Sequence, residues 1–435
     1  MATHRVETDR TPHTDEPVLR VGGPAPARRG RVRRLLPRGI ALLTSVCTLV
    51  VLINGHAALP FQRIVTIEAK MASKADYFGD PEVQRLLVRH GIRVRITRMG
   101  SREIAAQSYE GYDVVFPSGQ PASDQITRKR ATEGRPVTAY RPFVSPIVLA
   151  TYREYAQTLA DHAIAEPLPG APAGAEPLYY RLDMEKFLGA TRAGTRWNDL
   201  GLRKHGGTHN DNRVLAQTSH ICESNSAGTY LGLVSYVDHT VGPHGGGDRG
   251  GGGIPRTAAE ADAFGRDIKE LLNGQGMPAS DKNKTYVSPE GKSTSPISVI
   301  YEHQFLAHQI RAEARTARVD NERVLLYPST RFVTEPQLIA LTSEGDRLGR
   351  LVTDDPALQR RAMELGFRIG ADDNSASNSA GEALTRFLSE HHIPVPALSE
   401  DDTKAVLPQL PLFERMVELV GDCAPVPQAT GPEAP

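Results

Sequence analysis

VLAQTSHICESNSAGTYL (214–231) joins an apolar run to a helix-patterned segment through a polar turn that holds Ser224, Asn225 and Ser226. Two other stretches share this design. RVRITRMGSREIA (93–105) turns at Gly100 and Ser101, and VVFPSGQPA (114–122) turns at Ser118 and Gly119. Each such turn sets hydroxyls and unpaired helix-start N–H groups at the carboxyl end of a strand. Open α/β sheets bind ligands there.

Around these turns, short apolar strands alternate with amphipathic helices, which predicts α/β layers. IVTIEA (64–69), IRVRIT (92–97), YDVVFP (112–117), RPFVSPIVLATY (141–152), VLAQTS (214–219), PISVIYEHQ (296–304) and RVLLYP (323–328) read as strands. DPEVQRLLVRHG (80–91) reads as a helix that Asp80 caps, Pro81 opens and Gly91 stops. PQLIALTSEGDRLGRLV (336–352) and LPLFERMVELVG (410–421) also read as helical. PLPGAPAGAEP (167–177) is a loop, and GPHGGGDRGGGG (242–253) is a low-complexity, mobile insertion.

The three turns, with the long strands RPFVSPIVLATY and PISVIYEHQ spaced as two crossings between lobes, resemble the type 2 periplasmic (extracellular) solute-binding proteins. The resemblance spans residues 63–367 and is closest to the branch of phosphate, sulfate and molybdate binders. It implies an α/β fold of two lobes with hinge strands. Lobe 1 would comprise 63–148 and 302–370, and lobe 2 residues 149–301, followed by a polar extension over 371–435 with one helix. Hinge closure would set Gly100, Ser101, Ser118, Gly119 and Ser145 on one wall. Ser224, Asn225, Ser226 and Tyr301 would form the other. A small polar or anionic solute fits such donors, and Arg98, Arg102 or Arg141 could add a bidentate contact or be plain surface arginines. The resemblance implies a non-catalytic protein without metal or cofactor, partnered by an ABC-type permease or a sensor protein. Two further readings stay open: a signalling or interaction ectodomain that binds a protein partner, and an envelope hydrolase with a His beside an exposed Ser.

The N-terminus indicates where the protein works. Residues 1–38 hold nine Arg against four acidic residues and little apolar content, which predicts a disordered basic cytoplasmic tail. GIALLTSVCTLVVLINGHAALPFQ (39–62) has no charged residue and is long enough for one transmembrane helix. The preceding Arg cluster keeps its side in the cytoplasm and sends residues from 63 onward outside. Ala57 and Ala58 also allow a cleaved signal peptide, but the long charged leader favours an uncleaved anchor. Outside the span stand Cys222 and Cys423, which either pair in an oxidising compartment or sit as two separate buried thiols.

Composition narrows the remaining functions. The 435 residues carry 51 basic and 51 acidic side chains, which excludes a nucleic-acid binder that works by bulk positive charge. Three cysteines exclude a four-cysteine zinc site. A single tryptophan, Trp197, argues against a sugar cleft built on aromatic stacking. GKST (291–294) lacks the first glycine of a P-loop, since Tyr286 stands in its place. His220, Cys222, His239 and His244 fall within 25 positions, but His239 and His244 flank a glycine-rich loop and no periodicity converges the four on a metal.

Overall fold

A computed structural model describes residues 64–169, 175–244, 253–273, 282–369, 379–396 and 403–424. The basic tail, the expected span 39–62 and the glycine-rich stretch 245–252 lie outside these residues. Among the described residues no helix is long and apolar enough to cross a membrane.

In chain order the strands are β1 (Val65–Met71), β2 (Ile92–Arg98), β3 (Val114–Phe116), β4 (Thr138–Tyr140), β5 (Phe143–Tyr152), β6 (Ala165–Pro167), β7 (Tyr179–Leu182), β8 (Ile297–Tyr301), β9 (Arg323–Pro328), β10 (Thr330–Arg331), β11 (Val333–Thr334), β12 (Leu338–Ala340), β13 (Arg368–Ile369) and β14 (Thr403–Lys404). They form a mixed α/β fold with two main sheets. The first runs β2-β1-β3-β12-β4, and the second β11-β5-β9-β7-β6, with β8 and β13 also paired to β5. β10 and β14 make a small separate pair.

In the first sheet β1 pairs in parallel with both β2 and β3, so helices must cover its faces. Ile67, Ala69, Met71, Val114 and Phe116 pack in one core with Val83 and Leu87 of the helix Pro81–Arg89 and Leu348 of the helix Ser343–Asp354. Asp80 caps the former through the N–H groups of Glu82 and Val83, and Gly91 ends the turn after it at φ +70°. The second sheet is built on β5, where every residue but Val144 is fully buried. A strand covered on both faces reads as a continuous apolar run, as RPFVSPIVLATY does.

β5 is paired along its whole length. Its first residues pair with β13 and β11, and its later ones with β8 and β9. The first crossing between sheets is β4 to β5, as the sequence suggests. The second is not PISVIYEHQ: β8 stays beside β5 in the second sheet, and the chain then enters the helix Glu302–Thr316, whose start is marked by Gln304 Oε1 accepting the Tyr301 N–H (3.0 Å). RVLLYP also stays, because Val324–Tyr327 are buried on both faces and fit only between β5 and β7. The chain returns to the first sheet between β11 and β12, so residues 302–328 belong with the second sheet and not with lobe 1.

Two other expectations change. VLAQTS does alternate, with Val214, Ala216 and Thr218 buried, but it forms one bridge, Gln217 to Ser298, on the edge of β8 away from β5. PQLIALTSEGDRLGRLV begins as β12, buried between β3 and β4, and turns helical only after Thr342 caps Gly345 N.

Candidate functional site

Three turns leave the carboxyl ends of the three neighbouring parallel strands. Residues 72–75 follow β1, 99–101 follow β2, and 117–119 follow β3. Their serines are bonded to one another: Ser101 Oγ accepts the Ser118 N–H (2.8 Å), and Ser118 Oγ lies 2.7 Å from Ser73 Oγ. From the second sheet come Tyr301, at the end of β8, and Asn225, in the first turn of the helix Asn225–Thr240. Asn225 Nδ2 donates to Tyr301 Oη at 2.9 Å. Tyr301 also bonds Ser73, and burial pushes its phenol up to about 12, the bonds to Asn225 and Ser73 opposing.

A hydrogen-bonded chain therefore runs Ser101, Ser118, Ser73, Tyr301, Asn225 from one sheet's turns to the other's. The approach is close. A Cβ on Gly119 would stand 2.8 Å from Asn225 Oδ1, and one on Gly100 would stand 3.7 Å from the Glu223 carbonyl. Glycine at 119 thus leaves the space that the Asn225 amide fills.

The remaining expected residues sit around this chain. Ser145, on β5, lies 2.8 Å from His303 Nδ1 and accepts the His303 N–H at 3.3 Å. The His303 ring stacks on Phe367 at 4.0 Å. Burial, reinforced by the charge of Lys74, holds the imidazole well below its usual range. Ser145 is 1% exposed, so this Ser–His pair does not present a nucleophile. Ser224 caps its helix through Ala227 N and pairs with Ser226 at 2.8 Å, so both hydroxyls serve the helix start.

Lys74 is the residue that sequence reasoning missed. It is wholly buried, and its Nζ has no hydrogen-bond partner among the described residues. The ammonium lies 3.7 Å from the Tyr301 ring centroid, a cation–π contact that only partly replaces water. Burial pulls its pKa down to about 7, against the opposing pull of Asp76. Its turn, MASKAD, lacks the glycine beside serine that marks the turns after β2 and β3; the signal was the lysine three residues beyond the end of β1.

The arginines considered for the cleft are engaged elsewhere. Arg98 pairs with Asp76 at the surface, Arg141 approaches Glu335, and Arg102 grips Glu414 and Glu418. Arg102 Nη1 also donates to the Cys222 carbonyl at 3.3 Å. Cys222 and Cys423 are joined as a disulfide, 201 residues apart in sequence. Trp197 is a core residue, edge-on to Tyr155. Of the histidine cluster, His239 and His244 gather with Asp238, but Arg192 (2.5 Å) and His244 (2.7 Å) bond that carboxylate, and His239 Nδ1 bonds the Ser235 carbonyl. Internal partners thus satisfy these groups.

Beside the serine chain lies an open chamber of about 890 Å³. Ser101 and Asn225 belong to both, lining the chamber with one side and reaching the buried cluster with the other.

No protein-family model and no curated protein sequence matches this chain. Solved structures do resemble it. The sulfate-binding protein SubI from Mycobacterium tuberculosis H37Rv is 15% identical, the match covering 80% of this chain and 96% of SubI with a TM-score of 0.41. Iron-bound HitA from Pseudomonas aeruginosa is 12% identical over 82% of this chain and 99% of its own, at 0.45. The periplasmic binding protein AfuA from Actinobacillus pleuropneumoniae, with fructose-6-phosphate bound, is 9% identical over 82% and 97%, at 0.41. The chain is similar to solute-binding proteins; likenesses of this degree decide neither its ligand nor its partner.

Proposed function

We propose that this chain is a two-lobe solute receptor of the type 2 kind that captures a small anionic solute between its lobes. Lys74 carries the reading. A buried ammonium without a hydrogen-bond acceptor is unfavourable by several kcal/mol, and an anion is its chemical complement. Ser73, Ser101, Ser118, Asn225 and Tyr301 stand ready to exchange their mutual bonds for bonds to the anion's oxygens. Gly100 and Gly119 let the opposing backbone approach, Ser145 holds His303, and Ser224 and Ser226 fix the helix start that presents Asn225.

In this reading residues 39–62 anchor the protein in the membrane with the receptor outside, serving a permease or a sensor. It is a binding function without catalysis. The open chamber favours a solute over a protein partner, for which a filled cleft is the expectation. The buried Ser145 favours a receptor over a hydrolase. The test is native mass spectrometry of the protein purified from its own host. A discrete anionic adduct that is lost on mild denaturation, and is missing from Lys74→Met, is the expected result. An adduct retained in full by Lys74→Met refutes the assignment.

A further inference from the structure

The helix Leu410–Gly421 carries Leu410, Phe413, Met416, Val417 and Val420 on one apolar stripe at helical spacing, with Glu414 and Glu418 on a neighbouring one. It is built into the molecule. Arg415 forms a two-point pair with Asp262 (2.7 Å each), and Lys269 Nζ donates to the Leu419 carbonyl at 2.9 Å. Gly228 and Gly232 on the helix Asn225–Thr240 leave room for Phe413 and Leu407; a Cβ there would meet those side chains at 3.1 and 2.1 Å. Glu414 and Glu418 meet Arg102 from the first sheet's side, and Cys423 is bonded to Cys222 in the loop that leads to Asn225.

We propose that this C-terminal segment is a third wall of the cleft, and that its apolar side selects an organic anion with a nonpolar face over a bare inorganic oxyanion. The inference rests on the receptor reading above. The chamber's lining is mixed: Phe413, Val417 and Ile221 are apolar, and Gln107, Ser108, Tyr112, Glu103, Glu110 and Glu223 are polar. At ~30 Å³ per water its 890 Å³ corresponds to roughly thirty waters, where a four-oxygen oxyanion displaces only a few. The volume falls within the range of about 300–1,000 Å³ that holds organic ligands.

Charge points the same way. Three carboxylates, Glu103, Glu110 and Glu223, line the chamber and disfavour a small, multiply charged anion inside it. Both cations among the described lining residues are engaged: Lys70 Nζ donates to Gln107 Oε1 (3.0 Å) and the Ser108 carbonyl (2.7 Å), and Arg102 holds Glu414. Lys74 lies outside the lining, and Ser101 and Asn225 border both the chamber and the bonded chain that leads to it; on the proposal the anionic head displaces those bonds to reach Lys74 while its body stays in the chamber. A small, multiply charged ion leaves the chamber filled with water and its surplus charge unmatched.

The test compares pairs of probes that share a head group, titrated by calorimetry into the full-length chain: phosphate against phenyl phosphate, and sulfate against phenyl sulfate. In at least one pair the organic member should bind ~tenfold or more tightly, about 1.4 kcal/mol. Ala424→Trp fills the chamber from its exposed rim and should erase that gain while leaving the inorganic affinity unchanged. Val417→Thr, nearly equal in volume, should reduce it. Inorganic members binding as tightly as their partners, or Ala424→Trp leaving the gain intact, overturns the third wall and leaves the receptor reading in place. Failure of all four probes to bind a folded chain overturns the anion reading itself, and the inference with it.

Discussion

Replacing Lys74 by Met should stabilise the unliganded protein while abolishing capture of its anion. The fall of the lysine pKa from 10.5 to about 7 is driven by burial. At ~1.4 kcal/mol for each tenfold change in proton affinity, it corresponds to roughly 5 kcal/mol of unfavourable free energy in the folded state. Methionine fills similar space without charge, but loses the cation–π contact with Tyr301, about 1–2 kcal/mol. Desolvation is the larger effect, so the net gain is about 3 kcal/mol at neutral or lower pH. The pH dependence gives the decisive readout. Below about 7 folded and unfolded chains both hold the proton, and the full penalty applies. Between about 7 and 10.5 the unfolded chain holds a proton that the folded one releases, so wild-type stability rises with pH. Urea unfolding of both proteins at pH 6 and pH 9 should therefore show the variant ahead at pH 6, with the gap narrowing by about 3 kcal/mol at pH 9. A variant less stable than wild type at pH 6, or a gap that does not change with pH, refutes the buried, unpaired ammonium.

Three other perturbations follow. Reducing the Cys222–Cys423 bridge releases a loop closed over 201 residues and should lower stability by about 2–5 kcal/mol, read as a fall in Tm with reductant that a Cys222→Ala/Cys423→Ala variant does not show. Arg368 binds Glu302 through two contacts (2.6 and 2.7 Å), and Tyr327 donates to the same carboxylate; Arg368→Met should cost about 3–5 kcal/mol, and Glu302→Leu in the same chain should recover part of it in denaturant melts. Gly119→Ala sets a methyl 2.8 Å from Asn225 Oδ1, which turns the amide away and should weaken its bond to Tyr301, lowering stability by about 1 kcal/mol in denaturant melts; unchanged stability counts against that close contact.

Sequence patterns recovered what local physics determines. Asp80, Pro81 and Gly91 bound their helix because capping and φ restriction act over a few residues. The turns at Gly100–Ser101, Ser118–Gly119 and Ser224–Ser226 were legible because strand, polar turn and helix alternate in plain order, and the structure brings members of all three together. The second crossing was not legible. PISVIYEHQ and RVLLYP are both short apolar runs, and only the competition for places beside β5 decides that both remain in the second sheet. β12 was absorbed into a helix because Leu338–Ala340 has no period of its own; its pairing with β3 and β4 is a long-range fact. Lys74 escaped notice for a similar reason. Lysine is ordinarily a surface residue, and only the meeting of β1, Tyr301 and Phe367 buries it.

The disulfide also has a consequence for the order in which the protein is made. Cys423 leaves the ribosome 201 residues after its partner, when the strands of both sheets have already been synthesised. The last helix brings Leu410, Phe413, Met416, Val417 and Val420 into the main core, so the packing of that core and the last side of the chamber are finished together, when the helix docks and the two thiols are oxidised. Molecules cut before Leu410 should lack that part of the core as well as the bridge, and melt at a lower temperature than the finished protein.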